Sequence, residues 1–101
     1  MAANLTKASE PTAWQAILAA FADEGLTPHS WSNGAHDRYA AHSHPYHKVL
    51  YCVRGSITFR IEDSGEDVDL APGDRLDIEP QTEHSAIVGT SGVECMEAPR
   101  G

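Results

Sequence analysis

The spacing of hydrophobic positions changes once along the chain, near Gly25, dividing it into a helical start and a β remainder. Trp14, Ile17, Leu18 and Phe21 recur at i, i+3, i+4 and i+7, which a helix places on one face. Ser9 stands where an N-cap belongs, Pro11 falls in the first turn, and Gly25 follows the last periodic residue as a stop. The spacing predicts an amphipathic helix near residues 10–24, of about four turns. Its apolar stripe is expected to pack on its own domain or on an identical subunit. Residues 1–8 carry no pattern and are expected to fray.

Beyond Gly25 the period is two. Ile57, Phe59 and Ile61 alternate with Thr58, Arg60 and Glu62 up to the turn Asp63-Ser64-Gly65. Val68 and Leu70 alternate with Asp67 and Asp69 up to Pro72-Gly73, and Leu76 and Ile78 alternate with Arg75 and Asp77 before Pro80. His84 to Val88 and Val93 to Ala98 flank Gly89 and Gly92. Val49 to Val53 is apolar throughout, which predicts a strand covered on both faces. Segments near Ser30, Arg38, Lys48, Ile57, Val68, Leu76, Ala86 and Val93 add up to about eight short strands. Antiparallel strands so short and so many predict an all-β jelly-roll barrel, whose closure hides sheet edges, preceded by one N-terminal α-helix. The chain of 101 residues has room for a single domain, with tail and helix over 1–25 and barrel over 26–101.

Seven basic against fifteen acidic residues give a net charge of −8. The excess sits downstream, where residues 56–97 carry eleven acids against Arg60 and Arg75. Phosphate backbones and anionic lipid need clustered Lys and Arg, so nucleic acid and membrane are not expected as partners. Cys52 and Cys95 both lie in apolar runs and read as buried thiols. Ala13 to Ala22 could serve as a signal-peptide core, but Glu10 and Pro11 stand where positive charge is expected and Gln15 interrupts the run. The expected location is the cytoplasm. No Ser-His-Asp or Cys-His arrangement, CxxC or Gly-rich phosphate loop stands out, which argues against covalent and nucleotide chemistry.

The chemistry lies in the histidines. His42 and His44 are two apart, so on a strand their imidazoles share a face, with His47 close behind and His84 on a separate strand. Neutral nitrogen ligands with open positions beside them suit a catalytic divalent ion rather than a closed structural site. His29 and His36 have no partner pattern and are expected at the surface or at strand edges.

In this arrangement residues 34–98 resemble a cupin. The family's first motif runs Gly, five residues, His-x-His, three or four residues, Glu, six residues, Gly, and here His42, His44 and Gly55 fall in register. Its second motif runs Gly, five residues, Pro-x-Gly, two residues, His, three residues, Asn, and Gly73 and His84 match. The resemblance implies a double-stranded β-helix, often dimeric, with a metal held inside the barrel by His, His, Glu and His. Lys48 stands in the place of the family's Glu, and a lysine that keeps its proton at neutral pH has no lone pair for a metal. A one-residue bulge would turn His47 inward instead, giving a site of His42, His44, His47 and His84. The alternative is a three-histidine site with Lys48 lining the cavity. His36 replaces the first motif's opening Gly, and Glu79, Gln81 and Val88 replace Pro, Gly and Asn of the second.

The resulting expectation is one divalent transition metal per chain (iron, manganese, nickel, copper or zinc), since all accept imidazole. Lys48, Tyr46 and Arg60 are candidate pocket residues, a tyrosine as acid or donor and an inward arginine as partner for a substrate carboxylate. Three functions compete: a small metal-dependent enzyme of oxygenase or isomerase type acting on a small polar molecule, a sensor that binds a sugar or acid and works with a partner protein, and a barrel retained for assembly alone. No catalytic residue can be named. A homodimer is expected, because a small domain gains buried apolar area by pairing.

Overall fold

The fold was taken from a computed structural model, which describes residues 3–8 and 13–100. Its elements are β1 (Ala3–Thr6), α1 (Trp14–Asp23), β2 (His29–Asn33), β3 (Arg38–His42), β4 (Lys48–Ile61), β5 (Glu66–Leu70), β6 (Arg75–Ile78) and β7 (His84–Pro99). All pairings between the strands are antiparallel. The long strands β4 and β7 pair with each other from end to end and form the spine. The start of β4 pairs with β6, which carries β1, and its end pairs with β5. The start of β7 pairs with β3, and its end pairs with β2. Each spine strand thus passes from one sheet of the roll into the other, giving the expected all-β jelly roll with one helix.

Fewer strands form than the eight expected, because the glycines read as turns are bends within strands. The segments near Lys48 and Ile57 are both in β4, and those near Ala86 and Val93 are both in β7. The β4–β7 register slips between Cys52 and Arg54 and again between Gly55 and Ile57, and such bulges bend a strand without ending it. Gly55 and Gly92 meet at this bend, where a Cβ on Gly55 would lie 2.0 Å from the Gly92 carbonyl oxygen. Only the absence of a side chain permits that approach.

Alternation along β4 divides the apolar residues between two compartments. Leu50, Cys52, Ile57, Phe59 and Ile61 face the barrel interior with Leu76, Ile78, Val88, Val93 and Cys95. Val49 faces the other way and packs with Ala98 against Ile17 and Phe21 of α1, flanked by Tyr51 and Val53. The helix therefore supplies the second cover that the apolar run predicted. Ile17 and Phe21 are buried, while Trp14 remains 49 % exposed. Cys52 and Cys95 are free thiols, buried opposite one another in the register.

The helix is shorter than expected, at 10 residues, and the proposed cap Ser9 and Pro11 lie outside the described residues. Gly25 ends it as anticipated, with its backbone at φ 71°. The Leu26 N–H closes the last turn onto the Phe21 carbonyl at 2.9 Å. The expectation of a frayed start fails for residues 3–8. β1 adds to the edge of β6, and the buried carboxylate of Asp74 accepts hydrogen bonds from Lys7 Nζ at 2.6 Å and from the Ala8 N–H at 2.9 Å. No helix among the described residues is long and apolar enough to cross a membrane.

Candidate metal centre

Three of the four histidines proposed as ligands come together. His42 ends β3 and lies opposite His84, the first residue of β7. His44 follows in the loop, beyond the end of the strand, so backbone alternation does not place it. Its carbonyl instead accepts a 2.7 Å hydrogen bond from the Gln81 N–H. The ring centroids are 4.9 Å apart for His42 and His44, 4.5 Å for His42 and His84, and 5.4 Å for His44 and His84. One ring nitrogen from each lies within 4.8 Å of the other two.

The tautomers follow from the neighbours. His42 Nδ1 is 2.8 Å from the Ala40 carbonyl and His84 Nδ1 is 2.8 Å from the Thr82 carbonyl. A carbonyl can only accept, so each Nδ1 carries its proton and each Nε2 keeps a free lone pair. His84 Nε2 and His44 Nδ1 are buried with no hydrogen-bond partner among the described residues, a costly arrangement unless something binds there. Burial, together with the neighbouring His42, Lys48 and His44, pushes the His84 pKa down to about 4, against a partial upward pull from the Thr82 hydrogen bond. Burial, Lys48 and His42 also lower that of His44. Both rings are thus held in the neutral form that a metal requires. Two carbonyl-oriented imidazoles and a third beside them, with one ligand nitrogen each within 4.8 Å of the others, fit a divalent ion with open positions.

His47 is not brought to this group. It precedes Lys48, whose register with β6 runs unbroken from Lys48 to Tyr51, so the inward bulge invoked for His47 does not form. His47 Nε2 lies 2.9 Å from Asp77 instead. Lys48 turns inward in step with Leu50 and is buried at 7 % exposure. Its ammonium lies 3.4 Å from Glu97, whose other oxygen accepts from Trp31 Nε1 at 2.8 Å. These groups line an open cavity of about 240 Å³. Trp31, Tyr39, Leu50 and Phe59 make its apolar wall, while His42, His84, Lys48 and Glu97 make the polar one.

Of the other pocket candidates, Tyr46 stacks obliquely on His44 at 5.0 Å between ring centroids but does not line the cavity. Arg60 points out. It falls between buried Phe59 and Ile61 on β4, is exposed, and sits 3.8 Å from Asp67. Glu97, Trp31 and Tyr39 line the cavity without belonging to any motif in the sequence. Glu97 was legible in principle, since Val93, Cys95 and Glu97 are spaced by two and the first two are apolar.

The model of the cupin domain family matches residues 32–96. The chain belongs to the cupin family. Solved structures agree on the fold of this cupin. An RmlC-like cupin from Shewanella frigidimarina superposes with a TM-score of 0.64 at 20 % identity, over 73 % of this chain and 64 % of that one. KdgF from Halomonas sp. gives 0.60 at 26 % identity, over 75 % and 70 %. The polyketide cyclase RemF from Streptomyces resistomycificus gives 0.66 at 18 % identity, over 73 % of this chain but 54 % of its own. No curated protein matches the chain.

Two departures of this cupin from the family motifs acquire a structural meaning. His36 and Gln81 stand where the motifs have Gly, and they are the described non-glycine residues with positive φ, at 65° and 63°. The turns survive the loss of glycine, and with them the Gln81 contact that holds His44.

Proposed function

We propose that this cupin is a metal-dependent enzyme of the oxygenase or isomerase type acting on a small polar molecule, with His42, His44 and His84 as its metal ligands. The observation that supports this most is the pair of buried nitrogens on His44 and His84 without a hydrogen-bond partner among the described residues, in a histidine group of which His42 and His84 line the cavity. A divalent ion bound there would supply a Lewis acid with positions open to the molecule in the cavity. The chain's own contribution is to fix the tautomers of His42 and His84 through Ala40 and Thr82, to keep His44 and His84 neutral by burial, and to line the cavity with the apolar surfaces of Trp31, Tyr39 and Phe59. Iron, manganese, nickel, copper and zinc all suit imidazole. Elemental analysis of protein purified without added metal tests the reading. About one metal ion per chain, lost in His84→Ala, supports it, whereas metal-free protein that takes up none of these ions refutes it.

We propose also that the protein works as a homodimer in the cytoplasm. Trp14 at 49 % and Leu5 at 39 % exposure are apolar surface that pairing would cover. Sedimentation showing only the 10.9 kDa chain would contradict the dimer.

A further inference from the structure

The cavity has a feature that the histidines do not account for. Lys48 carries three N–H donors, its side chain is 9 % exposed, and among the described residues its charged neighbour is Glu97 alone, at 3.4 Å. Glu97 is already committed to Trp31 through its other oxygen. The ammonium therefore faces the cavity with donors to spare, in surroundings where a charge-assisted hydrogen bond is strong.

The charge count points the same way. Three imidazoles ligate as neutral groups, and Lys48 and Glu97 cancel each other. A divalent ion then leaves its double positive charge unanswered in a partly buried space, which an anionic ligand would offset. The cavity, at about 240 Å³, falls below the roughly 300 Å³ at which ligand pockets usually begin. The same cavity has an apolar wall with two aromatic rings, Trp31 and Tyr39, set edge to face at 5.5 Å.

We infer that Lys48 is a specificity-determining residue that holds the carboxylate of a small organic acid, whose apolar or unsaturated body lies against Trp31, Tyr39 and Phe59. The lysine that replaces the family's carboxylate ligand thus turns a position that would hold the metal into one that holds the substrate. This rests on the proposed metal site for its charge count, but the spare donors of Lys48 stand without it.

The test titrates the zinc-loaded full chain with benzoate, with its uncharged isostere benzamide, and with inorganic phosphate, by calorimetry, in wild type and Lys48→Met. Zinc content is measured separately by elemental analysis. Wild type should bind benzoate at least roughly 10-fold more tightly than benzamide, and Lys48→Met should lose that preference while keeping its zinc. Lys48→Glu, which restores a carboxylate beside the histidines, should keep zinc and lose benzoate. If Lys48→Met fails to fold because Glu97 is left unpaired, Lys48→Met combined with Glu97→Gln takes its place. A preference for benzoate that survives without Lys48, equal binding of benzamide, or tighter binding of phosphate overturns the inference. Should wild type take up no zinc, the metal reading falls by itself. The same titration of metal-free protein then decides the role of Lys48, for or against, by whether the preference depends on it.

Discussion

His47 Nε2 lies 2.9 Å from Asp77 Oδ2, on the opposite side of the strand from the cavity that Lys48 enters. One residue separates the two, and along a strand one residue changes the face. Asp77 in turn accepts from Arg75, whose Nη2 also donates to Glu24 at 3.2 Å. His47 thus belongs to a polar network beneath the helix. His47→Ala is expected to leave zinc affinity unchanged to within about 2-fold, while His44→Ala and His84→Ala lower it more than the roughly 10- to 100-fold typical of groups that only orient a ligand. Competition against a chelator of known affinity checks the order, and a large loss in His47→Ala alone would reverse the assignment.

The buried His84 makes metal-free protein sensitive to mild acid. Its folded pKa of about 4 lies below the ordinary histidine value near 6.5, so the unfolded chain takes up the proton first. Stability present at neutral pH is lost as pH falls from about 6.5 and is gone below about 4, by roughly 3 kcal/mol. Urea unfolding across this range should show the loss in wild type and a flatter profile in His84→Phe. Parallel profiles for the two proteins would contradict it.

Asp74 is 2 % exposed and works as a clamp. Burial raises its pKa, but hydrogen bonds from Lys7 and from the Ala71 and Ala8 N–H groups outweigh this and hold the carboxyl below its ordinary range. Asp74→Ala should cost about 2–3 kcal/mol, since it removes charge-assisted bonds and leaves donors unmet. Amide hydrogen exchange should accelerate first in Ala3–Thr6. Unchanged protection there would show that pairing with β6 suffices.

His36 and Gln81 hold left-handed backbone without being glycine, a conformation that costs roughly 1–2 kcal/mol for residues with a Cβ. Glycine offsets part of this through its freer unfolded chain. His36→Gly is therefore expected to stabilise the protein by about 0.5–1 kcal/mol, measured by denaturant midpoint. A lower midpoint would show that the imidazole makes a contribution beyond its backbone.

Strand positions were readable wherever alternation met a buried face, as at Ile57, Phe59, Leu76 and Ile78. Three features escaped for separate reasons. Gly55 and Gly92 look like turn residues in isolation, and only their mutual approach across β4 and β7 makes them bends. Ala3–Thr6 has no strong period, and its order comes from β6 and from Asp74, an acid 66 residues beyond Ala8. His42, His44 and His84 could be grouped from spacing and family likeness, but His47 and Lys48 could not be told apart. Their faces depend on whether β4 starts with a bulge, which neighbouring strands decide.

The continuity of β4 and β7 also limits how the cavity can open. Leu50 and Phe59 on one spine strand and His84 and Glu97 on the other line it from both ends of each strand, so these two walls are tied together by the β4–β7 pairing, while Trp31, Tyr39 and His42 join them from β2 and β3. Side chains and loops such as the one carrying His44 move in picoseconds to microseconds, whereas parting the spine strands would be a local unfolding and far slower. Joined in this way, the two spine walls move together or not at all, and what adapts to an occupant is the side chains and loops at the cavity's edge.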